Sequence, residues 1–303
     1  MIRPPPLQKG DLIGIAAPAS PFDPLEFKKG VQTIEKIGFH VYFREDIFSK
    51  QRYLAGSDER RAEELNELFA NPQIKAICFA RGGYGTQRII PLLNRDLIQK
   101  NPKIVMGYSD ITTLLIYLYE RFSWVTFHGP VVAKGMGDSF QERGKESLFR
   151  ALTDPRPLGE IRSEEMNYIK EGRGKGVLVG GCFSLILSNL KSSYELSFDE
   201  KILFLEDLNE PLYKIDRMLT QLRMSGKFSK VRGIIFGPLQ GSDAKEKEIC
   251  EVLLDVLKGI KVPVIYGFPS GHVENMVTIP FGVEVELDSK KGSVNFLEGA
   301  LEN

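Results

Sequence analysis

Cysteine, histidine and net charge are what this 303-residue chain has least of. Its three cysteines, Cys78, Cys182 and Cys250, form no CxxC pair, and each sits in an apolar stretch. They read as buried reduced thiols, which excludes a disulfide framework and fits a cytoplasmic location. The three histidines, His40, His128 and His272, are too dispersed for a metal cluster of the HExxH kind. No metal and no other cofactor is therefore expected. Forty Lys plus Arg balance forty Asp plus Glu, so no net field steers the chain toward nucleic acid or an anionic membrane. Long hydrophobic runs are missing too: Ile111 to Tyr119 is about half of what a spanning helix needs. A triple proline, Pro4 to Pro6, stands where a secretory signal would place its apolar segment. These absences predict a soluble intracellular protein with a small or neutral partner.

What is present is enough for a sizeable core. Hydrophobic residues make up 42% and charged residues 26%, close to ordinary globular composition, and the length suggests two domains. Short apolar runs at Asp11–Ala17, Phe39–Phe43, Ile74–Ala80 and Ile104–Gly107 alternate with helical spacing around Phe27–Ile37, Arg60–Phe69, Thr86–Leu93 and Ile111–Tyr119. That alternation predicts an α/β fold with a parallel sheet, flavodoxin- or Rossmann-like, over residues 1–140. Residues 141–174 are charged, proline-punctuated and without a clear strand, and read as a linker. Residues 175–303 hold five strand candidates and only two good helices, near Pro211–Met224 and Lys245–Leu257, which predicts a β-rich mixed C-terminal domain.

Four stretches carry candidate chemistry. In MGYSDITTLLIYLY a strand ends at Gly107 and a helix opens near Asp110, so Ser109 lies on a strand-to-helix turn of the nucleophile-elbow type; a plain helix N-cap is the alternative. In ARGGYG, three glycines in four positions let backbone N–H groups approach a ligand, or simply make a tight turn. Neither GxGxxG nor GxxxxGKS appears, which disfavours a nucleotide-dependent enzyme. In KILFLEDLNEPLYKIDR, strand alternation puts Glu206 on the same face as Ile202 and Phe204, where a carboxylate needs a partner. Asp207 and Glu210 are alternative helix caps, and an ion pair with Arg217 is the structural reading of the cluster. His272, on a loop flanked by Gly267, Pro269 and Gly271, is free to point into a cleft, with His128 as its competitor.

Taken in order, GDLIGIAAPAS, ARGGYG, GYSD, FHGP, GGCFSLI, FLEDLNEPLYKIDRML, GIIFGPL and GHVENMVTIPFG resemble the LD-carboxypeptidases, the muramoyltetrapeptide carboxypeptidase family of serine peptidases. The resemblance covers nearly the whole chain. It implies a metal-independent Ser-His-Glu triad of Ser109, His272 and Glu206, with the backbone N–H groups of Gly83 and Asp110 as oxyanion donors. Arg81 and Tyr84, beside the glycine loop, become candidate substrate contacts. The implied activity is removal of the terminal D-alanine from murein tetrapeptides at an L,D peptide bond, by a cytoplasmic enzyme that forms a homodimer. With a histidine of ordinary pKa as base, activity is expected to fall below about pH 6. One departure is plain: where the family commonly has GGN, this chain has Gly180, Gly181 and Cys182. A microcin-type aminoacyl-nucleotide hydrolase and a non-catalytic module binding a small ligand are the alternatives.

Overall fold

A computed structural model describes residues 1–163, 166–240 and 245–303. The expected alternation opens the chain: β1 (Leu12–Ala16), α1 (Pro24–Lys36), β2 (His40–Tyr42), α2 (Asp58–Ala70), β3 (Ile74–Phe79), α3 (Thr86–Ile89), α4 (Arg95–Lys100), β4 (Ile104–Gly107), α5 (Thr112–Phe122) and β5 (Thr126–His128). Local chemistry fixes the helix starts. The Asp23 carboxylate accepts the Leu25 and Glu26 amides ahead of Pro24, and the Ser57 hydroxyl accepts the Arg60 amide, which satisfies donors that a first turn leaves open. The five strands are parallel in the order β2-β1-β3-β4-β5, the flavodoxin-like arrangement. Strand order reverses between β1 and β3, and the crevice outside the strand ends at such a point is where open α/β sheets bind ligands.

Residues 141–174, expected to be a linker, are structured. They hold α6 (Glu142–Thr153), β6 (Gly159–Arg162), β7 (Asn167–Lys170) and the start of β8 (Arg173–Cys182); residues 164–165 lie outside the described residues. β6 and β7 are the two outer strands of the second sheet. Their polar sequences, GEIR and NYIK, bury little, so they carry almost no hydrophobic signature of a strand.

The chain continues through α7 (Phe183–Ser188), β9 (Lys201–Leu208), α8 (Leu212–Met224), β10 (Gly233–Gln240), α9 (Glu246–Val256), β11 (Val264–Tyr266), β12 (Ile279–Phe281), β13 (Glu284–Asp288) and β14 (Ser293–Phe296). The second sheet runs β6-β14-β13-β8-β9-β10-β11-β7. Its centre, β8 to β11, is parallel, and antiparallel strands flank it. The fold is thus mixed α/β, with one mostly parallel sheet and a second, mixed one. β12 crosses back to pair antiparallel with β5 in the first sheet.

Alternation along β9 divides the core as the sequence pattern requires. Leu203 and Leu205 face α8 and α9 with Phe236, Leu219 and Leu253. Ile202 and Phe204 face the other way, into a cluster shared with Met106, Phe127 and Phe281 of the first sheet. Each such side chain contributes about 1.5–3 kcal/mol by leaving water, and the shared cluster makes the two sheets one packed body. Among the described residues no helix is long and apolar enough to cross a membrane.

Candidate active site

The C-terminal end of β4 turns sharply. Ser109 has φ of 60°, in the region that a residue with a Cβ seldom adopts, and opens a single 3-10 turn that runs into α5. A strained serine between strand and helix is the geometry of a nucleophile elbow and not that of an N-cap, whose φ is ordinarily negative. The glycine loop lies directly against it: a Cβ on Gly82 would stand 2.9 Å from Ser109 Oγ. Gly83 has φ of 103°, and among the described residues its amide donates to no protein acceptor. The Asp110 amide sits in the first turn after the elbow, where N–H groups lack intrahelical partners.

Glu206 and His272 come from the second half of the chain. Glu206 lies near the end of β9 and is fully buried. Its Oε2 is 2.7 Å from His272 Nδ1 and accepts the His272 amide at 3.2 Å. Glycines make room for the pair, since a Cβ on Gly271 would meet Glu206 Oε2 at 2.6 Å and one on Gly237 would meet Glu206 Cβ at 2.9 Å. Burial opposes charge on His272 most strongly, but the hydrogen bond and charge of Glu206, with the charge of Asp207, outweigh it and hold the pKa above the ordinary 6.5. The free imidazole of His272 is therefore lost at a higher pH than that of an ordinary histidine.

The imidazole also reaches the elbow. Its ring packs against Tyr108 with 4.7 Å between centroids, one residue before Ser109, although among the described residues no hydrogen bond joins it to the Ser109 hydroxyl. Tyr108, His272, Leu208, Phe140, Lys134 and Glu274 line a cavity of about 480 Å³ at this junction.

His128, the competing histidine, is fully buried among Phe204, Phe281 and Tyr108, with both ring nitrogens unpartnered among the described residues. Burial first, and then the charge of His272, push its pKa down to about 3. It is a neutral core residue. Asp207 does not cap the helix that follows it. Its carboxylate accepts the Ser184 amide of α7 and the Leu208 amide. Glu210 pairs with Lys214, and Arg217 stacks over Tyr213 at 5.3 Å and forms no ion pair with the cluster among the described residues. Cys182, opposite Glu206 in the β8–β9 register, is buried, and burial with the charges of Glu206 and Asp207 raises its pKa, which keeps the thiol protonated. Arg81 donates to the Pro21 carbonyl at 2.7 Å, and the exposed Tyr84 ring lies 5.9 Å from that of Tyr53.

The site therefore gathers a strained serine, free backbone donors and a half-buried histidine paired with a buried glutamate, at the carboxyl ends of strands from both sheets. Sequence comparison places it in a family. Residues 13–129 match the LD-carboxypeptidase N-terminal domain and residues 175–287 the LD-carboxypeptidase C-terminal domain. The chain is 34% identical to the probable murein peptide carboxypeptidase of Bacillus subtilis (strain 168), over 95% of this chain and 92% of that protein. It is 29% identical to the murein tetrapeptide carboxypeptidase of Pseudomonas aeruginosa, over 92% and 94%. Among solved structures, the microcin C7 self-immunity protein MccF in complex with aspartyl sulfamoyl adenosine superposes with a TM-score of 0.93 at 27% identity, covering all of both chains. The chain belongs to the LD-carboxypeptidase family, a family of serine peptidases.

Proposed function

We propose that this LD-carboxypeptidase hydrolyses the bond between an L-configured centre and the terminal D-alanine of murein tetrapeptides, with Ser109, His272 and Glu206 as a metal-independent triad. The observation that carries the reading is the 2.7 Å contact of buried Glu206 with His272 Nδ1, beside a serine with φ of 60°. The names of the Bacillus and Pseudomonas relatives support the substrate class.

Glu206 holds the proton on Nδ1, so Nε2 is the basic nitrogen that faces substrate chemistry. Substrate binding draws the Ser109 hydroxyl and Nε2 into hydrogen-bond reach, a contact that tightens in many sites only when substrate is bound. Oγ attacks the carbonyl carbon while Nε2 takes its proton. The amides of Gly83 and Asp110 hold the tetrahedral oxyanion, each contributing on the order of 3 kcal/mol. The imidazolium, stabilised by Glu206, then protonates the departing D-alanine amine, leaving an ester on Ser109. Water, deprotonated by the same nitrogen, attacks that ester and frees the enzyme. Arg81 and Tyr84, beside the glycine loop, contact the peptide as it enters.

Ser109→Ala tests the proposal. Release of D-alanine from a murein tetrapeptide, followed by mass spectrometry, is expected to vanish while the fold persists, and EDTA is expected to leave wild-type turnover unchanged. Undiminished release by the variant refutes the nucleophile. The match to MccF bound to aspartyl sulfamoyl adenosine favours a second reading, hydrolysis of aminoacyl nucleotides. It predicts tight binding of that compound and no tetrapeptide turnover. A cytoplasmic location and a homodimer belong to the same proposal and are read by cell fractionation and light scattering.

A further inference from the structure

Arg61 is the largest charged side chain that the protein buries completely, and it lies outside the triad. It projects from α2 beneath the crevice between β1 and β3. Its Nη1 donates to two carbonyls: Pro18, in the loop after β1, and Gly85, in the glycine loop, the latter at 2.9 Å. Its Nη2 donates to Asp58, which is also held by Arg88 of α3 at 2.6 Å. One guanidinium thus joins both loops at the sheet's switch point.

The carbonyl of Gly85 and the amide of Thr86 belong to one peptide group. While Arg61 holds its oxygen, the carboxylate of Asp110 accepts its N–H at 2.8 Å. Asp110 is almost wholly buried and is the residue next to Ser109. A cation on the oxygen and an anion on the N–H align with the peptide dipole, and both contacts are buried, where such bonds are strong and costly to lose. Gly85 has φ of 141°, and a Cβ there would stand 2.7 Å from Arg61 Nη1, so nothing but hydrogen fits between the brace and the loop.

We propose that Arg61 is a positioning residue: with Asp110 it clamps the Gly85–Thr86 peptide plane and thereby sets the direction of the Gly83 amide toward Ser109. The proposal deepens the hydrolase reading and rests on it for its kinetic readout. Loss of the clamp leaves substrate binding intact and misdirects a donor that matters only in the transition state, so it acts on kcat and spares KM.

The experiment compares Arg61→Met and Arg61→Lys with wild type, each checked for folding by circular dichroism. Two quantities are measured: D-alanine release from a murein tetrapeptide, and amide hydrogen exchange over residues 82–88. Arg61→Met is expected to lower kcat about 100-fold, the scale of a small misplacement, with KM within about threefold, and to speed exchange in that segment. Arg61→Lys, which keeps a cation and donors, is expected to recover at least about tenfold of kcat. Unchanged kcat with unchanged exchange in a folded Arg61→Met overturns the brace, as does a loss confined to KM. If Arg61→Met does not fold, Arg61→Lys decides: intermediate kcat and exchange support the brace, and wild-type values of both overturn it. If wild type releases no D-alanine, the hydrolase reading fails separately, and the exchange measurement still decides whether Arg61 holds the loop.

Discussion

Replacing Glu206 by Gln changes charge and almost nothing else, because the site leaves the side chain nowhere to go. Gly271 and Gly237 pack so closely that a Cβ on either would collide with it, and the residue is fully buried. The amide therefore has two settings. With its carbonyl toward His272, it still accepts from Nδ1, and its NH2 falls where Oε1 now has no partner among the described residues, leaving buried donors unmet at a cost of about 1–3 kcal/mol. With its NH2 toward His272, it forces the tautomer that carries the proton on Nε2, which cannot deprotonate a serine. Both settings lose the carboxylate that stabilises the imidazolium. The expected loss in kcat is about 10²–10⁴-fold, or roughly 3–5 kcal/mol of barrier. The pH profile supplies the sharper check. Glu206 is the main influence that raises His272 against burial, so without it burial dominates and the pKa falls. Wild-type kcat/KM is expected to lose its acid limb at a pH above 6.5, and the variant's limb is expected to move to lower pH. D-alanine release measured from pH 5 to 9 gives both curves. A limb that stays in place, or a kcat within about fivefold of wild type, would falsify the pairing as the source of basicity.

Three further outcomes follow from the same geometry. Gly82→Ala brings a methyl group 2.8 Å from Ser109 Cβ and 2.9 Å from Oγ at a backbone position that alanine can adopt. Turnover is expected to drop about 100-fold while the melting temperature moves by a few degrees, and a fully active variant would remove the glycine loop from the site. His128 is neutral in the fold down to about pH 3, whereas the unfolded chain binds its proton near 6.5. Stability is therefore lost as pH falls below 6.5, by about 2 kcal/mol at pH 5 and on the order of 5 kcal/mol by pH 3. Urea denaturation at pH 7 and pH 5 should show His128→Phe escaping that loss, and equal losses in the two proteins would count against a proton-free His128. His272 has the opposite sign: its raised pKa contributes stability that is present below pH 6.5 and disappears as pH rises through the folded value. His272→Ala is thus expected to be penalised more in urea at pH 6 than at pH 9, and a penalty independent of pH would contradict the pairing.

Much of this site was legible in the chain because its signals are local. The turn at Ser109 follows from a strand ending at Gly107 and a helix beginning at once. The placement of Glu206 with Ile202 and Phe204 follows from the two-residue period of a strand, and the core clusters divide β9 along that line. The choice between His272 and His128 was open in sequence, because both neighbour glycines near strand ends. What separates them is tertiary: His272 meets a carboxylate 66 positions away, and His128 meets aromatic rings. The same limit explains the misread segment after residue 140. β6 and β7 are outer strands, so half of each strand's side chains face solvent and their patterns look like loop. β12 was visible as strand-like, but only the fold assigns it to the first sheet. Arg61 gave no signal at all, since an arginine in a charged helix reads as surface until burial shows otherwise.

The location of each part also determines which distant changes reach it. The serine, the glycine loop and Arg61 all hang on the first sheet and α2, and the second sheet touches this group through β8, where the Cys182 amide donates to the Thr112 hydroxyl at 3.1 Å. The line from Ser109 to His272 is different, because it crosses from one sheet to the other, and its length is set by the core that Met106, Phe127 and Phe281 share with Phe204. Phe204 lies two residues before Glu206 on the same face of β9, and its ring contacts His128, Phe268 and Phe281. Truncating it to leucine removes ring contacts on the side where the sheets meet and leaves α2 and the glycine loop untouched. Glu206 and His272 are joined to each other at 2.7 Å, so relaxation of that cavity is expected to move them as a pair relative to Ser109. Phe204→Leu is accordingly expected to lower kcat with the His272 acid limb in its wild-type place, whereas Glu206→Gln moves both. A shifted limb in Phe204→Leu would mean that the Glu206–His272 contact itself, and not its distance from the serine, depends on the packing between the sheets.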